Sequence, residues 1–427
     1  MKFNYGKTFL LGFGFLGISI IWPIFNQYIP IFLQAGNPEF ERQLLAEGRQ
    51  IPNIAGFGLA PGLALFVMTW DNILNMFIAP WIGAKSDRTW NRFGRRKPFI
   101  FLGAPIALLA FIFVPIAQSA LAVAAFIFIT NLGMALFRSP TVAWLGDLFS
   151  AEDRSKANGV INLMGGVGAL LAYFGGGMLF NQFGRTAPFI AGSVATALAV
   201  VIALIFVREP PSITPMEKDQ QNNVLQNVKI LFANRDRSAL FVLLSILLWF
   251  MGYSAFDTAL SSFAVFTLGI KAGTASIYAG TMTIFFLLFA VPAGLAGTRW
   301  GRERTIRIGL IGLTLSAFLG FFIVQEAITL IVVLLFAGAF WAMINVNSLP
   351  LVYDHGDEKQ IGAYTGLYYF SSQLAAVLGP TLLGFLVEAL GNQYRWIWLF
   401  ATVFMALAFG AMLGVRRGEA TVPQRNP

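Results

Sequence analysis

Twelve long apolar stretches are the feature of this sequence that most limits how the chain can fold. Each approaches or exceeds the roughly 20 apolar residues that a helix needs to cross a bilayer, and none alternates as a barrel strand does. Of the 427 residues, 57% are hydrophobic and 11% are charged, whereas about 25% of a soluble domain is charged. The sequence therefore predicts an all-α membrane protein with twelve transmembrane helices. The predicted spans are residues 7–33, 60–83, 98–118, 120–145, 157–180, 187–207, 239–266, 274–297, 305–324, 327–352, 361–387 and 395–415.

Lys and Arg residues are distributed unevenly between the two sides of these spans. With the N-terminus placed in the cytoplasm, 23 of the 29 Lys and Arg residues fall on the cytoplasmic side, 5 fall outside and Arg138 lies within a span. Because this bias sets orientation, we expect a multi-pass protein of the plasma (inner) membrane with both termini cytoplasmic. The net charge of +9 is then a topology signal and a contact for anionic lipid, and no nucleic-acid partner is predicted.

The residues that most enzymes need for their chemistry are scarce. The chain has no Cys and one His, His355, which falls in a predicted loop. This composition excludes disulfides and thiolate chemistry, and it leaves little for a His-based metal site or a serine triad. No GxxxxGK[ST] phosphate loop is present, which argues against an ATP-driven pump. We predict no enzymatic activity, no cofactor and no metal.

One long polar segment divides the spans into six and six. Residues 208–238 contain several prolines and charges and are predicted to form a cytoplasmic linker with a surface helix near 224–233. The predicted domains are an N-terminal six-helix bundle, 1–207, and a C-terminal six-helix bundle, 239–427.

The two halves carry matching sequence marks. Gly83 and Gly294 each open a basic loop after the second span of their half, and Asp147 and Asp354 each precede a glycine by 12 residues. Parallel six-span repeats, with a binding site between the halves at mid-membrane, are one architecture of secondary transporters. The repeat therefore predicts a transporter of this kind.

The loop after the second span reads Gly83-Ala-Lys-Ser-Asp-Arg-Thr-Trp-Asn-Arg-Phe-Gly-Arg-Arg-Lys-Pro98. It resembles the signature loop of the major facilitator superfamily. The extra residues between Asp87 and Gly94, and the first span up to Trp22, are similar to plant sucrose carriers and bacterial maltose carriers of the glycoside–pentoside–hexuronide cation symporters. The resemblance implies the major facilitator fold and cation-coupled sugar symport by alternating access.

Two positions depart from this branch of the superfamily. The sugar carriers have an Arg five residues before the Asp that closes the fourth span, where this chain has Val142, although Arg138 lies one turn earlier. The melibiose carriers have two sodium-linked Asp residues in the second span, and the nearest equivalents here are Asn75 and Ala79. A proton is therefore favoured over sodium as the coupling cation.

Three charged residues fall inside predicted spans: Asp71, Arg138 and Asp257. Charges are unfavourable in hydrocarbon and mark substrate or ion pathways by default. A carboxyl in an apolar cavity can take up and release a proton, whereas one beside Arg is held ionised until a substrate hydroxyl competes. We predict proton coupling by Asp71 and Asp257. A static ion pair such as Asp71–Arg138 is the alternative.

Polar and aromatic residues recur at helical spacing in several spans. Sugars present hydroxyls on their edges and weakly polar C–H faces, so a sugar site combines amide or carboxylate hydrogen bonds with aromatic stacking. Interhelical packing is the alternative for each residue taken singly, because amides also bond between membrane helices. The predicted substrate-binding residues are Trp22, Asn26, Asn75, Asn131, Arg138, Trp249, Tyr253, Trp341, Asn345, Tyr369 and Gln373.

The resemblance also implies that the basic loop acts as a cytoplasmic gate. We expect Arg95, Arg96 and Lys97 to pair with Asp87, Glu152 or Asp153, and such ion pairs would hold the two halves in one state. Positive-inside anchoring is the alternative. The predicted gate residues are Asp87, Arg88, Gly94, Arg95, Arg96, Asp147 and Arg154.

These patterns together favour a secondary active transporter, with proton-coupled symport of a glycoside or disaccharide as its function. An exporter of a non-sugar small molecule, such as a drug or metabolite, is the alternative. The predicted partners are that substrate, the coupling cation and the lipid bilayer, and nothing requires more than a monomer.

Overall fold

The structure, a computed structural model, describes residues 4–149, 151–209, 237–354 and 361–415. These residues are almost entirely helical and include no β-strand. Eleven helical segments within them are long and apolar enough to cross a membrane, and a shorter apolar helix, Trp396–Met412, follows the last of these. The predicted fold class is therefore confirmed. The predicted surface helix at 224–233 and His355 lie outside the described residues.

In chain order, the α-helices of the described residues are α1 (Tyr5–Gln34), α2 (Pro38–Ala46), α3 (Pro61–Val67), α4 (Trp70–Asp87), α5 (Lys97–Phe113), α6 (Ala120–Leu148), α7 (Ala151–Leu170), α8 (Gly176–Phe183), α9 (Ala187–Phe206), α10 (Ser238–Phe266), α11 (Ala272–Trp300), α12 (Arg302–Ile323), α13 (Ala327–Tyr353), α14 (Ile361–Ala389) and α15 (Trp396–Met412).

Three predicted spans are not continuous α-helices. The second span is interrupted between Val67 and Trp70, so that it consists of α3 and α4. The third ends in a 3₁₀ turn at Val114–Ile116, and the fifth contains a π-turn, Leu171–Gly175, between α7 and α8. The interruptions of the second and fifth spans lie at residues of the site described below, Asp71 and Tyr173.

Helix α2 lies outside the predicted spans, between the first and the second. The Asn37 side chain accepts a hydrogen bond from the backbone N–H of Glu39 at 3.0 Å, and Pro38 occupies the first helical position. Both features favour the start of a helix, where the first backbone N–H groups have no helical partner. Asn37 accepts a hydrogen bond from one of them, and Pro38 has no N–H to satisfy. Phe40 and Leu44 are its buried residues, so α2 is a short amphipathic helix.

The bundle exposes many large apolar side chains. Phe101, Leu121 and Val291 are mostly exposed, and they are three among dozens. So large an apolar surface is unfavourable in water. In a bilayer these side chains face lipid hydrocarbon, and the helices satisfy their own backbone hydrogen bonds, as the lipid environment requires. The surface therefore fits a protein that lies within lipid.

Small residues allow neighbouring helices to approach closely. A Cβ atom added at Gly168 of α7 would lie 2.5 Å from the carbonyl oxygen of Leu16 in α1, and one added at Gly133 of α6 would lie 2.4 Å from the backbone nitrogen of Ala107 in α5. Close backbone packing of this kind is typical of helices in membranes, where van der Waals contact replaces the hydrophobic effect as the driving force.

The described residues form two compact units. Unit 1 comprises those of Met1–Met216 with Asp257–Thr283 and Thr381–Tyr394, and unit 2 comprises those of Glu217–Phe256, Ile284–Pro380 and Arg395–Pro427. Parts of α10, α11 and α14 therefore belong to the same unit as the first six spans. The contacts described below lie within one unit or the other.

Candidate functional site

A carboxyl and an amide from distant parts of the chain meet in unit 1. Asn26 of α1 donates a hydrogen bond from Nδ2 to Oδ2 of Asp257 in α10, at 3.3 Å, and both residues are half-buried. Ser261, one turn further along α10, donates to the backbone carbonyl of Asn26 at 3.5 Å. Two hydrogen bonds therefore fix α1 against α10 at the position of the carboxyl, and the sequence predicted both partners as site residues.

The π-turn contributes a residue that the sequence interpretation missed. Tyr173 is buried, its hydroxyl is within hydrogen-bond reach of the Thr283 side chain, and the charge of Asp257 acts on its phenol. The missed signal was weak, because Tyr173 is uncharged and lies in a glycine-rich stretch. No local pattern announces that a helix will contain a π-turn.

Asp71 and Arg138 form the second charged group of unit 1. Asp71 lies in the first turn of α4, where the interruption of the second span places it, and the N-terminus of a helix favours a negative charge. It accepts a hydrogen bond from Nδ2 of Asn72 at 2.7 Å, and the charge of Arg138 on α6 acts on it. Ser139, beside Arg138, holds α6 against α4 by donating to the carbonyl of Ala79 at 3.1 Å.

The other predicted ligands of unit 1 differ in accessibility. Trp22 and Asn75 are half-buried, whereas Asn131 is buried. Neither side-chain polar atom of Asn131, nor the indole nitrogen of Trp22, has a hydrogen-bond partner among the described residues. These buried polar atoms therefore lack the hydrogen bonds that satisfied interhelical amides make.

Unit 2 contains an aromatic cluster built from α10, α13 and α14. The rings of Tyr253 and Trp341 stack with centroids 3.8 Å apart and planes 5° from parallel, and Phe250 meets Trp341 edge-on at 5.5 Å. Phe250 also meets Tyr368 edge-on, and Ser348 and the Tyr368 hydroxyl are 3.1 Å apart. The sequence predicted Tyr253 and Trp341 but not Phe250 or Tyr368.

The remaining predicted ligands of unit 2 differ in burial. Trp249 is fully buried, Asn345 and Gln373 are half-buried, and Tyr369 is exposed but in edge-on contact with Tyr368 at 5.3 Å. The backbone carbonyl of Asn345 accepts a hydrogen bond from Ser348 at 2.8 Å. Tyr369 and Asn345 therefore contact the cluster through Tyr368 and Ser348.

The basic loop of unit 1 forms a compact ion-pair cluster. Arg95 and Arg96 both bind Asp147 at the end of α6, with Arg96 Nε 2.8 Å from Asp147 Oδ2. Both also pair with Asp87. Burial alone would lower the pKa of the Arg96 guanidinium, but the hydrogen bond and charge of Asp147, with those of Asp87, outweigh it and raise that pKa above its ordinary value.

Glu209, just after α9, completes this cluster although the sequence interpretation did not select it. Its carboxylate accepts hydrogen bonds from the backbone N–H groups of Arg95, Arg96 and Lys97 at the start of α5, and from Nε1 of Trp144 at 2.9 Å. Gly94 has a φ of 113°, and a Cβ there would lie 2.6 Å from the Glu209 carboxylate. Gly94 is therefore required both by its backbone angle and by its close neighbour.

One predicted gate residue, Arg88, is not among the residues that form this cluster. Arg88 is exposed at the end of α4. The side chains of Arg154 and Glu152 lie outside the described residues.

The second half repeats the Arg–Asp pairing. In unit 2, Arg302 binds both carboxylate oxygens of Asp354 and donates to the carbonyl of Pro350 at 3.3 Å. Arg302 and Asp354 are 52 residues apart, as are Arg95 and Asp147. The sequence repeat is therefore also a repeat of contacts.

Another polar cluster of unit 1 lies at the C-terminal end of α1. Gln34 is fully buried; its Nε2 donates to Ser262 at 3.0 Å, and its Oε1 accepts from the hydroxyl of Tyr394. The rings of Phe40 and Phe266 stack beside it with centroids 4.6 Å apart. Burial raises the pKa of the Tyr394 hydroxyl above its usual range despite these hydrogen bonds, so it acts here as a neutral donor.

Known proteins resemble this chain over most of its length. Residues 7–286 and 258–427 match the family model of the Major Facilitator Superfamily. Multidrug resistance protein 2 of Bacillus subtilis (strain 168) is 23% identical over 406 residues, which cover 93% of this chain and 90% of that protein. Proton-associated sugar transporter A of Homo sapiens is 27% identical over 190 residues, which cover 39% of this chain and 25% of that protein.

A solved structure shows the same fold. The nucleoside transporter NupG aligns with a TM-score of 0.71 at 16% identity, over 96% of this chain and 100% of that one. At so low an identity the likeness concerns the fold alone. The family match, which covers nearly the whole sequence, and the apolar helices give the identity: the chain belongs to the Major Facilitator Superfamily and is an integral, multi-pass membrane transporter, not an enzyme.

Proposed function

We propose that this transporter is a proton-coupled symporter of a glycoside or disaccharide that works by alternating access. The observation that carries the proposal is the Asn26–Asp257 pair, an acidic group inside a membrane-spanning helix whose hydrogen-bond donor is a neutral amide. An ionised carboxylate accepts hydrogen bonds from sugar hydroxyls, and a protonated carboxyl also donates one. Such a group can bind substrate and proton together.

The two acidic groups are proposed to have different roles because their surroundings differ in charge. The charge of Arg138 acts on Asp71, and a nearby positive charge favours the ionised carboxylate over the protonated acid. The hydrogen-bond donor that the structure gives for Asp257 is the neutral amide of Asn26. This amide can donate from its nitrogen to the ionised carboxylate, and its oxygen can accept from the protonated acid. Protonation of Asp257 therefore leaves this pair with a hydrogen bond. We assign the coupling proton to Asp257 first and to Asp71 second, with Arg138 as a substrate ligand.

Aromatic and amide groups supply the contacts that a sugar needs besides a carboxylate. Tyr253, which is half-buried and stacks on the buried ring of Trp341, offers an aromatic surface suited to the C–H face of a pyranose. The unpartnered amide of Asn131 offers both a donor and an acceptor. We propose that both contribute to substrate affinity.

The relatives support two substrate classes. One is named a proton-associated sugar transporter, which agrees with the proposal, but the matched segment is a quarter of its length. The relative matched over most of its length is named a multidrug resistance protein. Export of a non-sugar small molecule in exchange for protons is therefore the second candidate, and it would use the same acidic groups.

Gating and topology complete the proposal. The cluster of Arg95, Arg96, Asp87 and Asp147 is proposed as the cytoplasmic gate, with Arg302–Asp354 as its counterpart. We propose both termini in the cytoplasm, a location in the plasma (inner) membrane, and the bundles 1–207 and 239–427 as the parts that move.

A melting screen of the purified protein separates the two substrate classes. A ligand that binds only the folded state raises the melting temperature by an amount that grows with the ratio of ligand concentration to Kd. We expect sucrose or maltose to raise it and the amphipathic cation tetraphenylphosphonium to leave it unchanged. The reverse pattern would favour the exporter.

Proteoliposomes then test the coupling. An imposed inward proton gradient should drive accumulation of the radiolabelled sugar that stabilised the protein, and an uncoupler should abolish it. Replacing the proton gradient by a sodium gradient is the matched control and should drive nothing. Sugar uptake that ignores both the gradient and the uncoupler would exclude symport.

A further inference from the structure

Helix α2 is an amphipathic helix in the connection between the first two spans, and its apolar face is buried. Phe40 is 2% exposed and Leu44, one turn later, is 1% exposed. The ring of Phe40 stacks on that of Phe266, the last residue of α10, with centroids 4.6 Å apart and planes 9° from parallel. Its centroid also lies 5.7 Å from that of Tyr394, just before α15. Phe40 therefore seats α2 on the end of α10 and on the segment before α15, within unit 1.

Polar side chains on and after α2 reach the same two segments. Gln43 donates from Nε2 to the carbonyl oxygen of Gly391 at 2.7 Å, and this bond is exposed. Arg49 donates from Nη1 to the carbonyl of Thr267, directly after α10. Because Arg49 also pairs with Glu47 at 3.1 Å, release of Thr267 leaves its charge with a partner. Water can replace the exposed bond of Gln43, so both contacts can open at small cost.

The start of α2 is fixed to α1 in a different way. The backbone N–H groups of residues 57–59 donate to carbonyl groups of residues 32–35, at the end of α1, over 2.9 to 3.1 Å. A Cβ atom at Gly56 would lie 2.6 Å from the carbonyl oxygen of Phe32. Asn37, which caps α2, donates to the carbonyl of Leu59 at 3.4 Å. Backbone bonds and close packing hold this side, whereas side chains alone hold the other, so we expect α2 to move with α1.

The contact of α2 continues inward through Tyr394. The Tyr394 hydroxyl donates to Oε1 of Gln34, and Nε2 of Gln34 donates to Ser262 at 3.0 Å. Tyr394, Gln34 and Ser262 are all fully buried. Separation of Phe40 from Tyr394 and Phe266 would therefore remove cover from this buried row of polar groups.

Resting on the proposed alternating access and topology, which place α2 and its partner segments outside the cell, we propose that α2 is an extracellular lid. It stays attached to α1 throughout the cycle. Its Phe40 ring leaves Phe266 and Tyr394 each time the outer path opens, and it returns when that path closes.

The first test measures access to Ser262, introduced as the single thiol Ser262→Cys because the chain has no Cys. Right-side-out membrane vesicles are treated with a membrane-impermeant methanethiosulfonate reagent, and the labelling rate is compared between Phe40→Ala and Leu45→Ala backgrounds. Leu45 is the matched control, because it lies on the same helix and is 62% exposed. We expect Phe40→Ala to raise the rate roughly two- to ten-fold, the equivalent of one aromatic pair, and Leu45→Ala to leave it unchanged.

Melting temperatures of the purified variants check their folding. An unchanged labelling rate in Phe40→Ala would overturn the lid, as would an equal rise in Leu45→Ala. This measurement needs no transported substrate. A protein that takes up no sugar therefore defeats the proposed function, while the labelling rates still decide the role of α2.

The second test immobilises the lid and also applies if Phe40→Ala does not fold. A short bifunctional methanethiosulfonate reagent links Phe40→Cys to Phe266→Cys, and dithiothreitol removes the link. The matched control links Asn37→Cys to Leu59→Cys, which joins α2 to its own anchor. We expect the first link to abolish sugar uptake reversibly and the control link to leave it near the unlinked rate. Full uptake with the first link, or an equal block by the control link, would overturn the proposal.

Discussion

Replacing Asp147 by Asn should disturb the protein more than replacing either related acid. The Asp147 side chain is 10% exposed and binds both Arg95 and Arg96, which are 11% and 5% exposed. Removing one partner of a buried ion pair costs about 3–5 kcal/mol, because the other charge is left uncompensated. Asp87 still pairs with both arginines, so we expect the lower end of that range, about 3 kcal/mol.

Two matched controls calibrate this value. Asp87 is 53% exposed, and exposed pairs contribute about 0–1 kcal/mol, so Asp87→Asn should have a small effect. Asp354→Asn breaks the corresponding pair of the second half, where Arg302 is 33% exposed, and should have an intermediate effect. The three variants keep the size of the side chain and change its charge.

The assay combines thermal unfolding of the purified variants with initial transport rates in proteoliposomes. If the cluster forms only in the conformer described here, about 3 kcal/mol shifts the conformational equilibrium roughly a hundred-fold, since each 1.4 kcal/mol is a factor of ten. Transport by Asp147→Asn should then change by at least ten-fold while Asp87→Asn stays near wild type. Equal behaviour of Asp147→Asn and Asp87→Asn would refute the reasoning, because burial would then not determine the effect.

Three further outcomes are expected. Asp71→Asn should fold normally but lose sugar accumulation, because a neutral amide replaces the carboxylate on which the charge of Arg138 acts; gradient-driven uptake at the normal rate would remove Asp71 from the mechanism. Trp341→Leu should raise the KM for sugar about two- to ten-fold, since stacking pairs contribute about 0.5–1.5 kcal/mol, whereas an unchanged KM would assign Trp341 to packing. The double variant Gln34→Cys, Ser262→Cys can be cross-linked selectively, because the chain has no Cys of its own. The cross-link should block transport if the hydrogen bond between these side chains breaks in each transport cycle. Full activity of the cross-linked protein would show that this contact stays closed throughout the cycle.

The spans could be predicted from sequence because the length of an apolar run is a local property. The interruption before Trp70 and the π-turn at Leu171–Gly175 could not, since both occur within apolar runs that favour a continuous helix. They depend on neighbours that are distant in sequence, such as Ser276 for the π-turn. Helix α2 had a readable signal in Asn37 and Pro38, where an N-cap residue precedes a proline at the first helical position.

The candidate site was predictable in its residue types and less so in its pairings. Charges inside spans identified Asp71, Arg138 and Asp257, because such charges are rare in hydrocarbon. Which group meets which depends on tertiary packing: Asn26 and Asp257 are 231 residues apart. The contacts of Glu209 could not be predicted either. It lies at the start of the polar linker, and the position of the end of α9 brings its carboxylate to the backbone N–H groups of Arg95, Arg96 and Lys97.

Transport by Asp257→Asn in proteoliposomes tests the central claim most directly. Asparagine keeps the shape of the carboxyl and, like the protonated acid, both accepts and donates hydrogen bonds, but it cannot take up or release the coupling proton. We predict that this variant still exchanges labelled for unlabelled sugar across the membrane while it no longer accumulates sugar in response to a proton gradient. Accumulation at the wild-type level would contradict the assignment of the coupling proton to Asp257.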